Sequence, residues 1–263
     1  MRTRIGSLVF VSLPCLLAAC GDGAAPAGGN PGVAFQVASS ASSANPMERD
    51  GAVALADVVT NLGGATISID TLQIVVRRLK LDRTDASCPD NVTDSDNDDN
   101  RCPDFRTGPF LLNVPLVPGA TAQFTQDLPA GQYNKVRFKI HKPSNRPGDA
   151  AFLAANPLFS DKTILVRGSF TAPGQAPVRF VWWTDMEIEQ KIDLVPPLTL
   201  AAGGPTPLTL LVDPTNWFRN QAGDGLITPA QALGGSLRSR IENNIRASFR
   251  AFRDANRNGR SDD

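Results

Sequence analysis

The feature that most constrains the fold of this chain is an alternation of apolar and polar residues in its second half. The segment reads PVRFVWWTDMEIEQKIDL, and one parity carries Val178, Phe180, Trp182, Met186, Ile188, Ile192 and Leu194. The other parity carries Arg179, Asp185, Glu187, Glu189, Lys191 and Asp193. Because successive side chains of a strand point to opposite faces, this pattern predicts a sheet with one face in the core and one in water.

Other segments repeat the period of two. In YNKVRFKIHK, we expect Val136, Phe138 and Ile140 to point inward and Arg137, Lys139 and His141 outward. The longer segment ATISIDTLQIVVRRLKL changes parity along its length, which predicts a bulge or two separate strands. Further short strands are separated by Pro and Gly turns, and no strand-helix-strand alternation is present. Residues 33–227 are therefore predicted to form a mainly β fold, an antiparallel two-sheet β-sandwich.

The C-terminal part changes to a helical period, and residues 228–253 are predicted to be helices packed on the sandwich. TPAQ, which begins at Thr228, fits a capping box that opens a short helix. An amphipathic α-helix is then expected from Ser236 to about Arg253. Its apolar stripe is Leu237, Ile241, Ile245, Phe249 and Phe252, and the opposite side holds Arg238, Glu242, Arg246, Arg250 and Arg253. These arginines are expected to face outward, either as a solvated surface or as a patch for anionic lipids.

The N-terminal residues have the layout of an export signal. Arg2 and Arg4 precede an apolar run that is too short to span a bilayer. The sequence LAAC, which ends at Cys20, resembles the lipobox of bacterial lipoproteins. Residues 1–20 are therefore predicted to be a signal whose Cys20 receives lipid, and Gly21 favours delivery to the outer membrane of a host that has one. Residues 21–32 are predicted to be a flexible tether because they are rich in Gly, Ala and Pro.

Two cysteines of the exported part frame an acidic loop, residues 88–102. Cys88 and Cys102 form an even pair in an oxidising context, so a disulfide is predicted. Closing a loop of about 15 residues stabilises a fold by about 3 kcal/mol. Between them, Asp94, Asp96 and Asp98 have the alternating spacing of oxygen ligands around Ca²⁺. This segment is either a calcium site or a solvated acidic loop held by its disulfide alone.

The acidic, Asn- and Gly-containing tail, residues 254–263, is a second candidate calcium site. In DANRNGRSDD, Asp254, Asn256, Asn258, Gly259 and Asp262 occupy positions one, three, five, six and nine of an EF-hand-like or dockerin-like loop. The sequence ends before the position at which such loops carry a bidentate Glu, so weak Ca²⁺ affinity is expected. Alternatively, the Asn-Gly pair serves only as a cap for the preceding helix.

Two stretches of the predicted sandwich resemble a known family. TGPFLL at 107–112 and LPAGQYNKVRF at 128–138 are similar to segments of bacterial and archaeal secreted lipoproteins that carry a β-sandwich domain of unknown function. The resemblance implies an exported sandwich and supplies no catalytic residue. Independently of it, the turn bracketed by Pro129 and Gly131 is expected to direct Tyr133 into the core.

Together these patterns predict a non-catalytic binding or structural module that is anchored to the membrane by lipid and stabilised by Ca²⁺. Its ligand is expected to be a glycan or an envelope protein; nucleic acid is not expected, because the 26 basic residues are balanced by 26 acidic ones. The alternative is a glycan-active hydrolase that uses Asp185, Glu187 and Glu189, with Trp183 as a sugar platform. The same acidic face is also expected of a solvent-facing strand paired with Lys and Arg on its neighbour.

Overall fold

The computed structural model of the protein describes residues 29–40, 58–85, 104–106 and 108–262, with the backbone alone described for 104–106. The predicted lipid site, disulfide and first calcium loop lie outside the described residues; these are Cys20, Cys88, Cys102, Asp94, Asp96 and Asp98. Within the described ranges, no helix is long and apolar enough to cross a membrane.

The described residues form twelve strands and two α-helices. The strands are β1 Gly32–Ser39, β2 Val58–Leu62, β3 Ala65–Arg83, β4 Asp104–Arg106, β5 Phe110–Asn113, β6 Ala120–Asp127, β7 Gly131–Ile140, β8 Ile164–Thr171, β9 Val178–Thr184, β10 Ile188–Leu200, β11 Pro205–Val212 and β12 Phe249–Phe252. The helices are α1 Ala150–Ala155 and α2 Gly235–Arg246. Short 3-10 turns lie at Pro147–Asp149, Pro157–Phe159, Pro214–Asn216 and Pro229–Gln231.

These strands form two sheets, which confirms the prediction of a mainly β, two-sheet sandwich. The larger sheet has the order β10-β7-β3-β8-β9, and β2, β4 and β5 also pair with β3. The smaller sheet has the order β12-β11-β1-β6. Its two central strands, β1 and β11, run parallel, with Gly32 opposite Pro205 and Ser39 opposite Val212. The other pairings between described strands are antiparallel, as predicted.

The 19-residue strand β3 joins the two halves of the larger sheet. Its first half pairs with β8 as far as Ile74, and its second half pairs with β7 from Val76 onward. The register shifts between Ile69 and Thr71 and again between Val76 and Arg78. The change of parity seen in the sequence therefore marks bulges within one strand.

The long alternating segment divides into two strands that lie end to end. β9 ends on β8 at Thr184, and β10 begins on β7 at Ile188. They follow one another because β8 and β7 pair with consecutive parts of β3. The predicted inward parity is confirmed from Phe180 to Leu194, but Val178, at the start of β9, is 67% exposed.

Aromatic side chains tie the C-terminal region to the core. The Phe218 ring contacts those of Phe180 and Trp182 edge to face, with centroids 5.7 Å apart in each pair. Trp182 is fully buried, and its indole N–H donates a hydrogen bond to the Ala232 carbonyl at 2.9 Å. The polar edge of this large apolar side chain is thus satisfied inside the core.

The turn before β7 directs Tyr133 into the core, as predicted. Tyr133 and Val136 are both buried, and the Tyr133 hydroxyl donates to the Pro129 carbonyl at 2.8 Å. Burial raises the pKa of Tyr133 above its ordinary value. The hydrogen bond closes the turn back onto the strand that it starts, so the tyrosine fixes the entry of the chain into β7.

At the start of the C-terminal region, the predicted short helix is a 3-10 turn, Pro229–Gln231. Proline occupies its first position as expected, but the Thr228 side chain makes no capping hydrogen bond. α2 begins at Gly235, one residue before its predicted start at Ser236, and Gly234 precedes it without a side-chain capping bond. The helical segments of this stretch are therefore shorter than predicted, and neither of them has a side-chain capping hydrogen bond.

The predicted extension of the last helix to Arg253 is wrong. α2 ends at Arg246, and the next residues form β12 along the edge of β11, from Val212 opposite Phe249 to Thr209 opposite Phe252. The Phe249 ring packs against Phe138 with centroids 5.3 Å apart. Sheet pairing and burial of an aromatic ring outweigh the local helical period here, since the two phenylalanines lie opposite the β-branched Val212 and Thr209 of β11.

The close contact of β8 with β3 at Gly168 gives a prediction for stability. A Cβ added to Gly168 in β8 would overlap the Ser68 carbonyl oxygen of β3 and lie 3.0 Å from its carbon. Gly168→Ala is expected to cost about 3 kcal/mol or more, because backbone rather than a side chain would have to move. Urea unfolding measures this loss.

Gly148→Ala is the matched control, because a Cβ there would meet no heavy atom within 4 Å. We expect that variant to stay within about 0.5 kcal/mol of the wild type. Equal stability of the two alanine variants would contradict the close strand contact.

Candidate functional site

The three carboxylates of the hydrolase alternative do not share one regular strand. Asp185 and Glu187 lie in the link between β9 and β10, and Glu189 lies in β10. All three side chains are exposed. The sheet pairing is interrupted at this link. The three carboxylates therefore lack the regular strand spacing on which the two-carboxylate mechanism was predicted.

Asp185 is held by an arginine of α2. The Arg238 guanidinium forms an ion pair with Asp185, and it also donates to Glu242 at 2.9 Å and to the Thr184 hydroxyl at 3.2 Å. The Arg238 side chain is only 19% exposed, so the prediction that it faces solvent is wrong. Arg238 instead fastens α2 to the end of β9.

Trp183 is covered by cations of the same chain. The Lys162 ammonium lies 4.7 Å from the ring centroid, and the Arg238 guanidinium carbon lies 5.5 Å from it. Both distances are in the range of cation–π attraction. Because two cationic side chains already lie over this ring, less of its face is open to stack against a sugar than the sequence suggested.

The remaining two carboxylates also face basic groups. A Glu187 carboxylate oxygen lies 3.5 Å from Nε2 of His141, a contact that is an ion pair only when the histidine is protonated. Glu189 is directly opposite Lys139 in the pairing of β10 with β7. This surface is thus charge-paired across strands, which is the arrangement expected of a solvated sheet face.

Arg137 lies on the outward face predicted for it, but it is not exposed to solvent there. Its side chain is buried, and two of its nitrogens lie 2.6 Å from Oδ2 of the buried Asp82. The other oxygen of Asp82 has no hydrogen-bond partner within the described part of the chain. The larger sheet therefore carries a buried ion pair on the face away from its main core.

The tail loop, residues 254–262, brings three of its predicted ligands into one turn. Asp254 is fully buried, and its two carboxylate oxygens accept hydrogen bonds from the backbone N–H groups of Asn258 at 3.0 Å and Gly259 at 2.9 Å. The Asn256 side-chain oxygen also accepts from Asn258 N–H, at 2.9 Å. Gly259 has a φ of +78°, a conformation that favours glycine.

The fourth predicted ligand lies at the end of the same loop. An Asp262 carboxylate oxygen accepts a hydrogen bond from the Ala255 N–H at 2.6 Å, which brings the two ends of the loop together. Among the described residues, no group of three or more His, Cys, Asp or Glu side chains is placed to hold a metal. Calcium binding by this loop therefore stays a prediction, and its present shape is accounted for by hydrogen bonds.

Asp149 is a structural residue that the sequence patterns did not single out. Its side chain is 1% exposed, and Oδ2 accepts hydrogen bonds from Arg77, from Ser144 N–H and from the Ser144 hydroxyl, each at 2.7 Å. Burial alone would raise the pKa of Asp149, but the bonds from Arg77 and Ser144 bring it below the ordinary value. It lies in a Pro- and Gly-rich loop, where no periodicity marks a buried position.

The segment that Asp149 anchors covers a second apolar cluster. Val75, Leu165 and Phe159 are buried there, with Leu111, Phe152 and Trp183 packed around them. The outer face of the larger sheet is therefore divided into an apolar part under α1 and a charged part over β7 and β10. The alternation of the strands does not predict this division, because the charged positions and the covered apolar positions both belong to the outward parity.

No protein-family model matches this chain, and no curated protein matches it. Among solved structures, MbnP from Methylosinus trichosporium is similar, with 13% sequence identity and a TM-score of 0.34. The match covers 85% of this chain and 98% of that chain. A likeness at this level does not indicate a shared ligand or activity.

Asp149→Asn is expected to lower the free energy of unfolding by about 3 kcal/mol at neutral pH, because Arg77 loses its charged partner. The carboxylate's contribution is complete above the unfolded pKa of about 3.9 and is lost as the pH falls through the lower folded pKa. The difference between wild type and variant should therefore shrink below about pH 4. Urea unfolding at neutral and acidic pH measures it.

Asp161→Asn is the control, because this carboxylate is exposed and its ion pair is with the neighbouring residue Lys162. Its effect on stability should be small at both pH values. A destabilisation by Asp149→Asn that does not change with pH would contradict the ionic role of Asp149.

Proposed function

We propose that this chain is a lipid-anchored protein of the cell envelope whose β-sandwich serves as a non-catalytic binding or structural module stabilised by Ca²⁺. A glycan or an envelope protein is the ligand class that we assign to it. The export signal, the lipobox at Cys20 and the tether of residues 21–32 support the anchored location.

The observation that carries the non-catalytic assignment is the pairing of the acidic side chains around the link between β9 and β10. Asp185 is bound by Arg238, Glu187 faces His141 and Glu189 is opposite Lys139. A glycosidase needs two carboxylates that converge on one bond, one of them with a raised pKa. Carboxylates that each face a separate basic group are typical of a solvated sheet face.

The calcium part of the proposal is supported by the tail loop. The side-chain oxygens of Asp254, Asn256 and Asn258 belong to one tight turn, and oxygen ligands from alternating positions are what Ca²⁺ prefers. The loop is attached to the smaller sheet, because the Arg257 carbonyl accepts a hydrogen bond from the Ala120 N–H at 2.9 Å. An ion in this loop would therefore stabilise the sandwich as well as the tail.

Cys20→Ser is expected to move the protein from the membrane fraction to the soluble fraction of the cell envelope and to abolish its labelling by radioactive palmitate. Cys15→Ser is the matched control, because Cys15 lies inside the predicted signal and should not affect the mature protein. Retention of label in the Cys20→Ser variant would contradict the anchor, whatever the sandwich binds.

Ca²⁺ is expected to raise the melting temperature of the chain from residue 21 onward, which retains every described residue. At about 100 times its Kd, one bound ion adds about 2.7 kcal/mol, or a rise of about 5–10 °C for a domain of this size. EDTA should reverse the rise, and Mg²⁺ serves as the control ion. The absence of a shift at millimolar Ca²⁺ would contradict both calcium sites.

Two variants distinguish the sites. Asp96→Asn should reduce the calcium-dependent rise when the ion is held between Cys88 and Cys102, and Asn256→Ala should reduce it when the ion is held by the tail loop. In each case, the quantity compared is the shift caused by Ca²⁺, so a change in the baseline stability of a variant does not affect the assignment.

A further inference from the structure

A cleft opens beside β10 at the point where this strand parts from β7. The pairing of the two strands stops at Asp193 and resumes at Leu198, so residues 194–197 lie opposite a single residue of β7. Two of these four residues are Pro196 and Pro197, which have no N–H to donate to a neighbouring strand. Extra residues on one strand bend it away from its partner, and the cleft lies at this bulge.

The cleft lies between the two sheets and has a volume of about 200 Å³. On the side of the larger sheet it is lined by Leu194 and Leu198, which are each 3% exposed and belong to the main core. On the side of the smaller sheet it is lined by Thr206 of β11 and by Arg253, directly after β12. The cleft is therefore an open end of the sandwich interior, with apolar side chains at its floor.

Arg253 reaches the cleft because of its place in the alternation of β12. Phe249 and Ala251 of this strand pack on the core, and Arg253 is the next residue of the same parity. Within the described part of the chain, Arg253 makes no ion pair, and no acidic residue lines the cleft. The adjacent carboxylate, that of Asp254, already accepts hydrogen bonds from two backbone N–H groups of the tail loop. The Arg253 guanidinium is thus available to an anion from outside the chain.

An apolar floor beside one unpaired guanidinium defines the chemistry that suits this cleft. A guanidinium presents two parallel N–H groups, which match the two oxygens of a carboxylate. The leucines and prolines of the cleft would be covered by an apolar group attached to that carboxylate. We propose that this cleft binds a small carboxylic acid, in its ionised form, whose body is an aromatic ring or a short alkyl chain.

The volume and the charge of the cleft both limit the ligand. A dry cavity of about 150 Å³ holds a benzene molecule, so a cleft of about 200 Å³ has room for one ring and its substituent. One guanidinium balances one negative charge, whereas a phosphate monoester carries close to two at neutral pH. A sugar acid fits less well, because its hydroxyl groups would lie against the carbons of Leu194 and Leu198.

The side chains of the cleft also set the orientation of the ligand. The Thr206 hydroxyl already donates to the Thr199 carbonyl at 3.1 Å, so it can accept a hydrogen bond but has no second proton to donate. Arg253 is exposed, whereas the two leucines are buried. The carboxylate therefore lies at the mouth of the cleft, close to water, and the apolar body points toward the core.

This site is separate from the carboxylates at the link between β9 and β10, and it goes beyond the module proposed above. It stands whether or not Cys20 carries lipid and whether or not the tail loop binds Ca²⁺. Because the tail loop follows Arg253 directly, binding is measured in EDTA on the chain from residue 21 onward. A failure of this proposal is then distinct from a failure of the anchor or of the calcium sites.

Fluorobenzoate is the probe, because its ring and carboxylate match the cleft and fluorine NMR reports its binding directly. Fluorobenzyl alcohol, which has the same ring and no charge, is the control ligand. Arg253→Met is the test variant, since methionine keeps an apolar stem and removes the charge. Arg250→Met is the matched control: Arg250 is an exposed residue of β12 with the opposite parity, and it lies outside the cleft lining.

The wild type and Arg250→Met are expected to bind fluorobenzoate with a Kd of about 1 mM. Arg253→Met should weaken this binding by about tenfold to a hundredfold and leave the melting temperature without ligand unchanged. Fluorobenzyl alcohol should bind the wild type at least about tenfold more weakly than the acid. The proposal is overturned by equal binding of acid and alcohol, by equal binding of the acid to the two variants, or by no binding at about ten times the expected Kd.

Two further ligands test the apolar part of the proposal. Acetate and glucuronate carry the same charge as fluorobenzoate without its ring, and each should bind at least about tenfold more weakly because less apolar surface leaves water. Glucuronate that binds as tightly as fluorobenzoate would overturn the apolar ligand and would indicate an acidic glycan instead.

Discussion

The structure depends on the pairing of β3 with strands on both of its edges. β2, β4 and β5 pair along one side of it, and β8 and β7 follow one another along the other. A strand of 19 residues twists strongly, so two partners in succession fit it better than one partner of equal length. The bulges at Ile69 and Val76 allow the change of partner while Ile74 and Val76 both stay in the core.

This change of partner also organises the outer face of the larger sheet. Near the middle of β3, Val75 and the neighbouring Leu165 of β8 are covered by the segment that Asp149 fastens to Arg77. Over the second half, charged side chains take the same positions, and the buried pair of Asp82 with Arg137 lies among them. A buried ion pair adds little net stability compared with apolar packing, but it strongly disfavours any register that would separate its members. The ion pair thus fixes the strand register of the charged part of the outer face. The apolar part is instead stabilised by the segment that covers it.

The sequence was informative where one face of a strand is core and the other is water. The period of two predicted both the sheets and the inward side chains of β7 and β10, and the turn before Tyr133 followed from Pro129 and Gly131. It failed where distant residues decide the outcome. Phe249 and Phe252 fit a helical stripe, yet the open edge of β11 made them a strand.

The candidate site shows the same limit more clearly. Arg137 and Arg238 were both expected in solvent, because alternation assigns a face to a side chain and does not reveal what else lies on that face. The partners Asp82 and Asp185 are 55 and 53 residues away in sequence. By contrast, the local hydrogen bonds of the tail loop follow from residue spacing alone, and Asp254, Asn256 and Asn258 were brought together as the motif indicated.

The start of β1 limits the distance between the sandwich and any anchor at Cys20. Gly29 accepts a hydrogen bond from Gly203 at 3.1 Å, so the described chain is fixed to the sandwich nine residues after Cys20. Nine residues span at most about 30 Å, which sets the greatest stand-off between that rim and the bilayer. β1 then runs about 23 Å to the opposite rim, where Ala38 is paired with Ala120 and Ala120 holds the tail loop. In a molecule lipidated at Cys20, the tail loop would therefore lie at the end of β1 opposite to the end that the anchor reaches first.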